Sequence, residues 1–167
     1  MKTTFVQTIF IFTFSLFSCS SNQQTDKNSI FLKQYRDINE FECFKDFTQI
    51  GSAIIGETNK FNFGITQIKD KELNVILFNK VVPGIKSTFE ILDTLQIRNL
   101  KETEYISYQL CRKDSINDSE IIAIVLFEDT EYFTKVLKAW RANRKTGKII
   151  EIGTTGIDCI NEGYGVE

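Results

Sequence analysis

The sequence predicts an α+β fold in which one or two N-terminal helices pack on a curled antiparallel β-sheet of six to seven strands. Apolar residues within 30–50 recur every three to four positions, which is typical of a helix face. From residue 61 onward they alternate or form short runs between polar turns, which is typical of strands. The chain also contains a single proline, and its many isoleucines, valines, threonines and phenylalanines favour ordered strands.

The N-terminal stretch predicts export. One positive charge, Lys2, precedes an apolar run that ends at Leu16-Phe17-Ser18-Cys19. A short charged start, an apolar stretch and a small residue before the cut are typical of a secretory signal. The run is short for a membrane span, which needs about 20 predominantly apolar residues.

The end of this run resembles the lipobox of bacterial lipoproteins, with Leu16 three positions and Ser18 one position before Cys19. The resemblance covers about residues 1–22. It implies that Cys19 is the lipid attachment site, that Leu16 and Ser18 are recognition residues, and that a membrane is a partner through the N-terminal lipid. The residue after the cysteine is Ser20 and not aspartate, which implies the outer membrane in preference to the inner membrane.

Three segments follow from this interpretation. Residues 1–18 are the signal peptide, residues 19–29 are a polar flexible tether, and residues 30–167 are a single α+β domain. Removal of residues 1–18 from the 167-residue chain leaves 149 residues, enough for one domain with a real core. The net charge changes from −2 to −3 because Lys2 is lost, so we expect no nucleic-acid partner.

We expect helices over residues 30–50. Ile30 to Tyr35 begin an apolar face, and Asp37 is placed to cap a second segment that Gly51 ends. The second segment carries apolar side chains at helical spacing: Ile38, Phe41, Phe44 and Phe47.

The strands follow in order. A hairpin extends from Phe61 to Phe78, and a further strand runs from Phe89 to Ile97. Residues 105–111 alternate between apolar and polar side chains. Residues 121–127 are an unbroken apolar run, which predicts a central strand covered on both faces.

Residues 131–152 fit two structures. Phe133, Val136 and Trp140 have helical spacing, whereas Asn143 to Lys148 form a good hairpin loop. We favour two strands, because neighbouring strands usually pair. The stretch from Ala139 to Lys148 also resembles the closing hairpin of PepSY-type secreted domains. Residues 153–167 are predicted to be an irregular tail. An alternative fold is a cone-shaped sheet with a pocket, as in cystatin-like or nuclear-transport-factor-like proteins.

Three cysteines remain once Cys19 is set aside: Cys43, Cys111 and Cys159. An oxidising compartment favours one disulfide among them. The sequence leaves the three pairings open, and a Cys111–Cys159 bridge would tie the tail to a strand.

Histidine is absent from the chain. This excludes a Ser-His-Asp triad and histidine-ligated metal or haem sites. No cysteine pair has C-x-x-C spacing, and the acidic turn from Asp114 to Glu120 lacks the glycine of a calcium loop. We expect no metal, no cofactor and no enzymatic activity. A basic cluster between Lys135 and Lys148 is interpreted as a solvated face.

The leading functional hypothesis is a cell-envelope lipoprotein that acts as a non-enzymatic binding module for a protein partner or a small ligand. The first alternative is an inhibitor or immunity-type lipoprotein with a rigid acidic or aromatic patch, formed by Asn161-Glu162-Gly163-Tyr164. The second alternative is a hydrolase, which needs two carboxylates that converge in a cleft.

Overall fold

The computed structural model describes residues 30–56, 62–84 and 86–165. The predicted α+β class is wrong, because these residues contain no α-helix and their regular secondary structure is almost entirely β-strand. The cone-shaped single sheet is also not found, because the strands divide into three antiparallel sheets. None of the described segments forms a helix that is long and apolar enough to cross a membrane.

Thirteen strands lie in the described part of the chain. In chain order they are β1 (Gln34–Tyr35), β2 (Thr48–Ile55), β3 (Phe63–Asp70), β4 (Leu73–Val82), β5 (Thr88–Arg98), β6 (Glu104–Tyr108), β7 (Cys111–Lys113), β8 (Ile116–Asn117), β9 (Ile121–Leu126), β10 (Tyr132–Phe133), β11 (Val136–Asn143), β12 (Lys148–Ile152) and β13 (Ile157–Ile160).

Three sheets are built from these strands. Sheet I has the order β1-β5-β4-β3-β2, sheet II has the order β12-β11-β9-β6, and sheet III has the order β10-β13-β7-β8. In sheet I, strands β2 to β5 each pair with their neighbours in the chain, whereas in sheet II only β11 and β12 are consecutive. The four short strands of sheet III alternate in the chain with those of sheet II. All the pairings are antiparallel.

The predicted N-terminal helices are two single 3₁₀ turns, Ile38–Glu40 and Glu42–Phe44. Asp37 does cap the first turn, since its side chain accepts a hydrogen bond from the amide of Asn39 at 2.9 Å. Phe41 then adopts an extended conformation and stops the turn. The apolar side chains of this segment cover the outer face of sheet I, so their spacing reflects contact with a sheet and not a continuous helix.

Sheet II is the central layer of the molecule. Ile122 and Ile124 of β9 pack against sheet I, and the alternate residues Ile121, Ala123 and Val125 pack against sheet III. The prediction that residues 121–127 form a central strand covered on both faces is confirmed, with β9 ending at Leu126.

The ambiguous segment from residue 131 to 152 is a hairpin of β11 and β12, as favoured above, and not a helix. The tail is not irregular throughout, because β13 pairs with both β7 and β10. Sheet III therefore holds the C-terminal segment against the domain.

The outer core of sheet I contains a buried polar network. The hydroxyl group of Tyr35 donates a hydrogen bond to Oδ1 of Asn79 at 2.9 Å, and Nδ2 of Asn79 donates to the hydroxyl of Thr66 at 3.2 Å. Burial raises the pKa of the Tyr35 hydroxyl well above its ordinary value.

Candidate functional site

An open groove of about 280 Å³ lies where the free edge of sheet II meets sheet III. One wall is β6, and the other is formed by β10 and the segment from Ile160 to Glu162. The fold brings these walls together at two sheet edges, β6 of sheet II and β10 of sheet III. Among the described residues that line the groove, only Glu162 carries a carboxyl group.

Three aromatic rings form the floor of the groove, and we call Tyr105, Phe127 and Phe133 the aromatic cluster. Tyr105 and Phe133 have centroids 6.4 Å apart and are parallel to within 2°. Phe127 is tilted against both rings, at 5.8 Å and 6.2 Å. Phe133 is buried, but Tyr105 is 46% exposed and Phe127 is 54% exposed. Tyr105 and Phe127 therefore expose part of their rings to solvent, while the third ring of the cluster, Phe133, is buried against them.

The pairing of β6 with β9 explains where these rings lie. Tyr105 is paired with Val125, so its side chain is on the face of sheet II that meets sheet III. Phe127 follows directly after β9, and Phe133 is on β10, which sheet III holds at its edge.

The C-terminal wall is held by the side chain of Asn161. Its Nδ2 donates hydrogen bonds to the carbonyl groups of Glu128 and Thr130 at 3.2 and 3.0 Å. Its Oδ1 accepts a hydrogen bond from the amide of Gly163 at 3.1 Å, and its own amide donates to the carbonyl of Glu131 at 2.9 Å. These bonds join the C-terminal segment to the loop between β9 and β10.

The same loop is fixed from its other side by Glu128. The Oε2 atom of Glu128 accepts hydrogen bonds from the amides of Thr134 and Lys135 at 2.7 and 3.0 Å. These backbone donors favour the charged form and lower the pKa of Glu128 to about 2. The groove is thus formed by ordered chain on both sides.

Acidic residues border the groove: Glu162 lines it, and Asp129 and Glu131 belong to the loop that Asn161 holds beside it. We call these three residues the acidic rim. Asp129, Glu131 and Glu162 are exposed, and none of them forms an ion pair with another described residue. By contrast, the nearby cations are each matched by a carboxylate, in the pairs Lys101–Glu104, Arg112–Asp158 and Lys135–Glu128. The rim therefore favours a positively charged partner.

Cys111 and Cys159 form a disulfide, one of the three pairings that the sequence left open. They are opposite residues on β7 and β13, and both are buried. The bridge immediately precedes the groove-lining residue Ile160, so it helps to position that wall. Cys43 lies outside this bridge, half-buried against the outer core of sheet I. Leu16, Ser18, Cys19 and the whole of the proposed tether, residues 19–29, lie outside the described residues.

The acidic turn and the basic cluster form an ion-pair network with each other. Arg141 pairs with Asp118 and Glu120, and Arg144 also pairs with Glu120. Lys135 is paired with Glu128, so half of the predicted basic cluster is neutralised within the domain. Asp118 and Glu120 each bind a guanidinium group, so both carboxylates are ion-paired within the domain. Among the described residues, no three Cys, Asp or Glu side chains are grouped in a way that would hold a metal ion.

The aromatic cluster was not predicted from the sequence. The apolar run over residues 121–127 predicts Phe127 at the end of a buried strand, and the spacing of Phe133 fits a helix face, so neither pattern indicates an exposed aromatic cluster. The suggestion of a patch at residues 161–164 came closer, because Asn161 and Glu162 do line the groove.

No family model, no curated protein and no solved structure matches the chain.

Proposed function

We propose that the chain is a lipid-anchored protein of the cell envelope that acts as a non-enzymatic binding module, with the groove as its binding site. The lipobox-like residues before Cys19 support the anchor, with the outer membrane as the location. The observation that carries the binding role is the pair of exposed aromatic rings, Tyr105 and Phe127, on a rigid and packed support. Aromatic residues are enriched among the side chains that dominate binding interfaces.

A protein partner fits the groove better than a small ligand does. Its volume of about 280 Å³ is just below the range for ligand pockets, about 300–1,000 Å³, which bury most of a bound molecule. The groove is open, apolar at its centre and bordered by charged side chains. Protein–protein interfaces commonly have the same arrangement of an apolar centre and a polar rim. The described lining has one carboxyl group, on Glu162, and so no carboxylate pair for acid–base catalysis.

A photo-crosslinking residue in place of Phe127 tests this proposal in the native cell. We expect a discrete crosslinked protein product from position 127. The matched control is position 137, because Leu137 is also exposed, at 44%, but is on β11 and does not line the groove. The same product from both positions, or no product from position 127, would contradict the proposal.

The inhibitor or immunity-type role is the second candidate, and the fixed C-terminal wall favours it. Asn161 holds this wall rigidly, and Glu162 presents a charge beside the aromatic cluster. The partner would then be a secreted enzyme or toxin. If so, Glu162→Lys would leave the partner's activity unopposed, whereas Glu72→Lys, an exposed substitution elsewhere, would not. Equal protection by both variants would rule out this role for the wall.

A further inference from the structure

The outer edge of β6 presents backbone hydrogen-bonding groups that no other described residue pairs. The amide of Phe127 donates to the carbonyl of Thr103, which fixes the phase of the β6–β9 ladder. In an antiparallel ladder every second residue bonds to the partner strand, so Tyr105 and Ser107 bond to β9. Ile106 and Tyr108 therefore turn their N–H and C=O groups away from β9, and no described residue accepts from their amides.

The other sheet edges in the described chain are protected. On β12, the outward amide of Ile149 donates to the carboxylate of Asp93 at 2.9 Å. β2 carries a bulge between Gln49 and Gly51, and the edge strands β1, β8 and β10 have two residues each. β6 has five residues, with no proline, lysine or bulge. Natural sheets normally protect their edges by such devices, so the open edge of β6 is an exception.

The open edge borders the groove. A strand added to β6 would place every second side chain on the same face as Tyr105 and Ser107, because side chains alternate across a sheet. That face leads to the aromatic cluster, so an apolar or aromatic side chain there would contact Tyr105 and Phe127. The side chains two positions before and after it would also lie on that face, near the acidic rim, which favours lysine or arginine there.

From this geometry we propose that the groove binds an extended, basic segment of a partner protein, which adds as a strand to the edge of β6. This inference rests on the proposed function and specifies its mode and its ligand chemistry. Main-chain hydrogen bonds supply affinity in such binding, and pockets for alternate side chains supply specificity.

Synthetic heptapeptides test the mode of binding. The probe has threonine at its four odd positions and Lys-Phe-Lys at its three even positions, so that the phenylalanine and both lysines lie on the groove face. A second peptide carries N-methyl groups at alternate backbone nitrogens, which removes donors without changing side chains. A third has glutamate in place of lysine. We expect the first peptide to bind at least about tenfold more tightly than either control, since several hydrogen bonds of about 0.5–1.5 kcal/mol each are lost by methylation. Equal binding of the first and the methylated peptides would overturn strand addition.

Amide hydrogen exchange gives the direct readout. Bound probe should slow exchange at the amides of Ile106 and Tyr108, because these are the outward donors of β6. Protection that appears elsewhere on the domain but not at these two amides would overturn the inference.

Charge variants test the acidic rim. The variant Asp129→Asn/Glu131→Gln/Glu162→Gln removes three charges near the groove. Its control, Asp46→Asn/Glu72→Gln/Glu151→Gln, removes three exposed charges elsewhere. We expect only the first variant to lose affinity for the lysine peptide, by about tenfold at low salt, and to lose its salt dependence. An equal loss in both variants would overturn the role of the rim. A crosslink at position 127 combined with no binding of the lysine peptide would leave the proposed function intact and remove this inference alone.

Discussion

Cys111 and Cys159 are directly opposite each other on β7 and β13 and are joined by a disulfide, with Cα atoms 3.9 Å apart. This one bond links residues separated by 48 positions in the sequence. The enclosed segment contains the central strand β9 and the hairpin of β11 and β12. The disulfide also fixes the position of Cys159, the residue directly before the C-terminal wall of the groove.

The double variant Cys111→Ala/Cys159→Ala should lower the free energy of unfolding by about 4 kcal/mol, on the loop-entropy account of a bridge of this span. Urea unfolding of the oxidised wild type and the variant measures the difference. An unchanged unfolding midpoint would contradict this account, because the bridge would then not restrict the unfolded chain of the native protein.

Gly51 on β2 and Tyr108 on β6 tie sheet I to the edge of sheet II. A Cβ atom added at Gly51 would lie 2.6 Å from the hydroxyl oxygen of Tyr108. Gly51→Ala should therefore destabilise the domain by about 1–3 kcal/mol through overpacking. In the background Tyr108→Phe, which lacks that oxygen, the same substitution should cost clearly less. A double-mutant cycle by thermal unfolding measures this coupling, and purely additive effects would contradict the contact.

The buried hydroxyl of Tyr35 predicts a loss of stability at alkaline pH. Tyr35→Phe leaves Oδ1 of Asn79 without its donor and should cost about 1–3 kcal/mol near neutral pH. In the unfolded chain the tyrosine ionises near pH 10, whereas burial keeps it protonated in the folded state. The stability that the hydroxyl contributes is thus complete below about pH 10 and is lost as the pH rises further. The difference between wild type and variant should shrink above that pH in chemical unfolding, and a constant difference would be inconsistent with burial.

The carboxylate of Glu128 predicts a loss of stability at acidic pH, in contrast to the loss at alkaline pH that Tyr35 predicts. Its folded pKa is lowered to about 2 by backbone amides, so its contribution is present above its unfolded pKa and lost as the pH falls from about 4.5 to about 2. Glu128→Gln should be less stable than wild type at pH 7, and the two should converge over that window. Glu72→Gln, at an exposed site, is the matched control. No convergence would argue against the hydrogen bonds to Thr134 and Lys135.

Periodicity located most of the strands but could not identify the N-terminal segment. Residues 121–127 were predictable because an unbroken apolar run requires cover on both faces, and β9 has it. Phe41 and Phe44 have the spacing of a helix face, yet they belong to a segment laid across a sheet. A segment that lies across a flat apolar surface can have the same spacing of apolar residues as an amphipathic helix. The sequence pattern alone therefore could not distinguish a helix from such a segment.

The groove could not be predicted because its parts are distant in the chain. Tyr105, Phe127 and Phe133 come together only through the pairing of β6 with β9 and of β10 with β13. The cysteine pairing was open for the same reason, since it depends on the register of β7 against β13. Single residue types were informative mainly by exclusion, as with the absence of histidine.

The claim that the chain is an exported, lipid-anchored domain is tested most directly by intact-mass and peptide mass spectrometry of the protein purified from its native cell without reductant. We predict a chain that begins at Cys19, carries acyl groups on that residue, and contains a Cys111–Cys159 cross-linked peptide. A chain that begins at Met1, with an unmodified cysteine at position 19 and no such cross-link, would contradict the account.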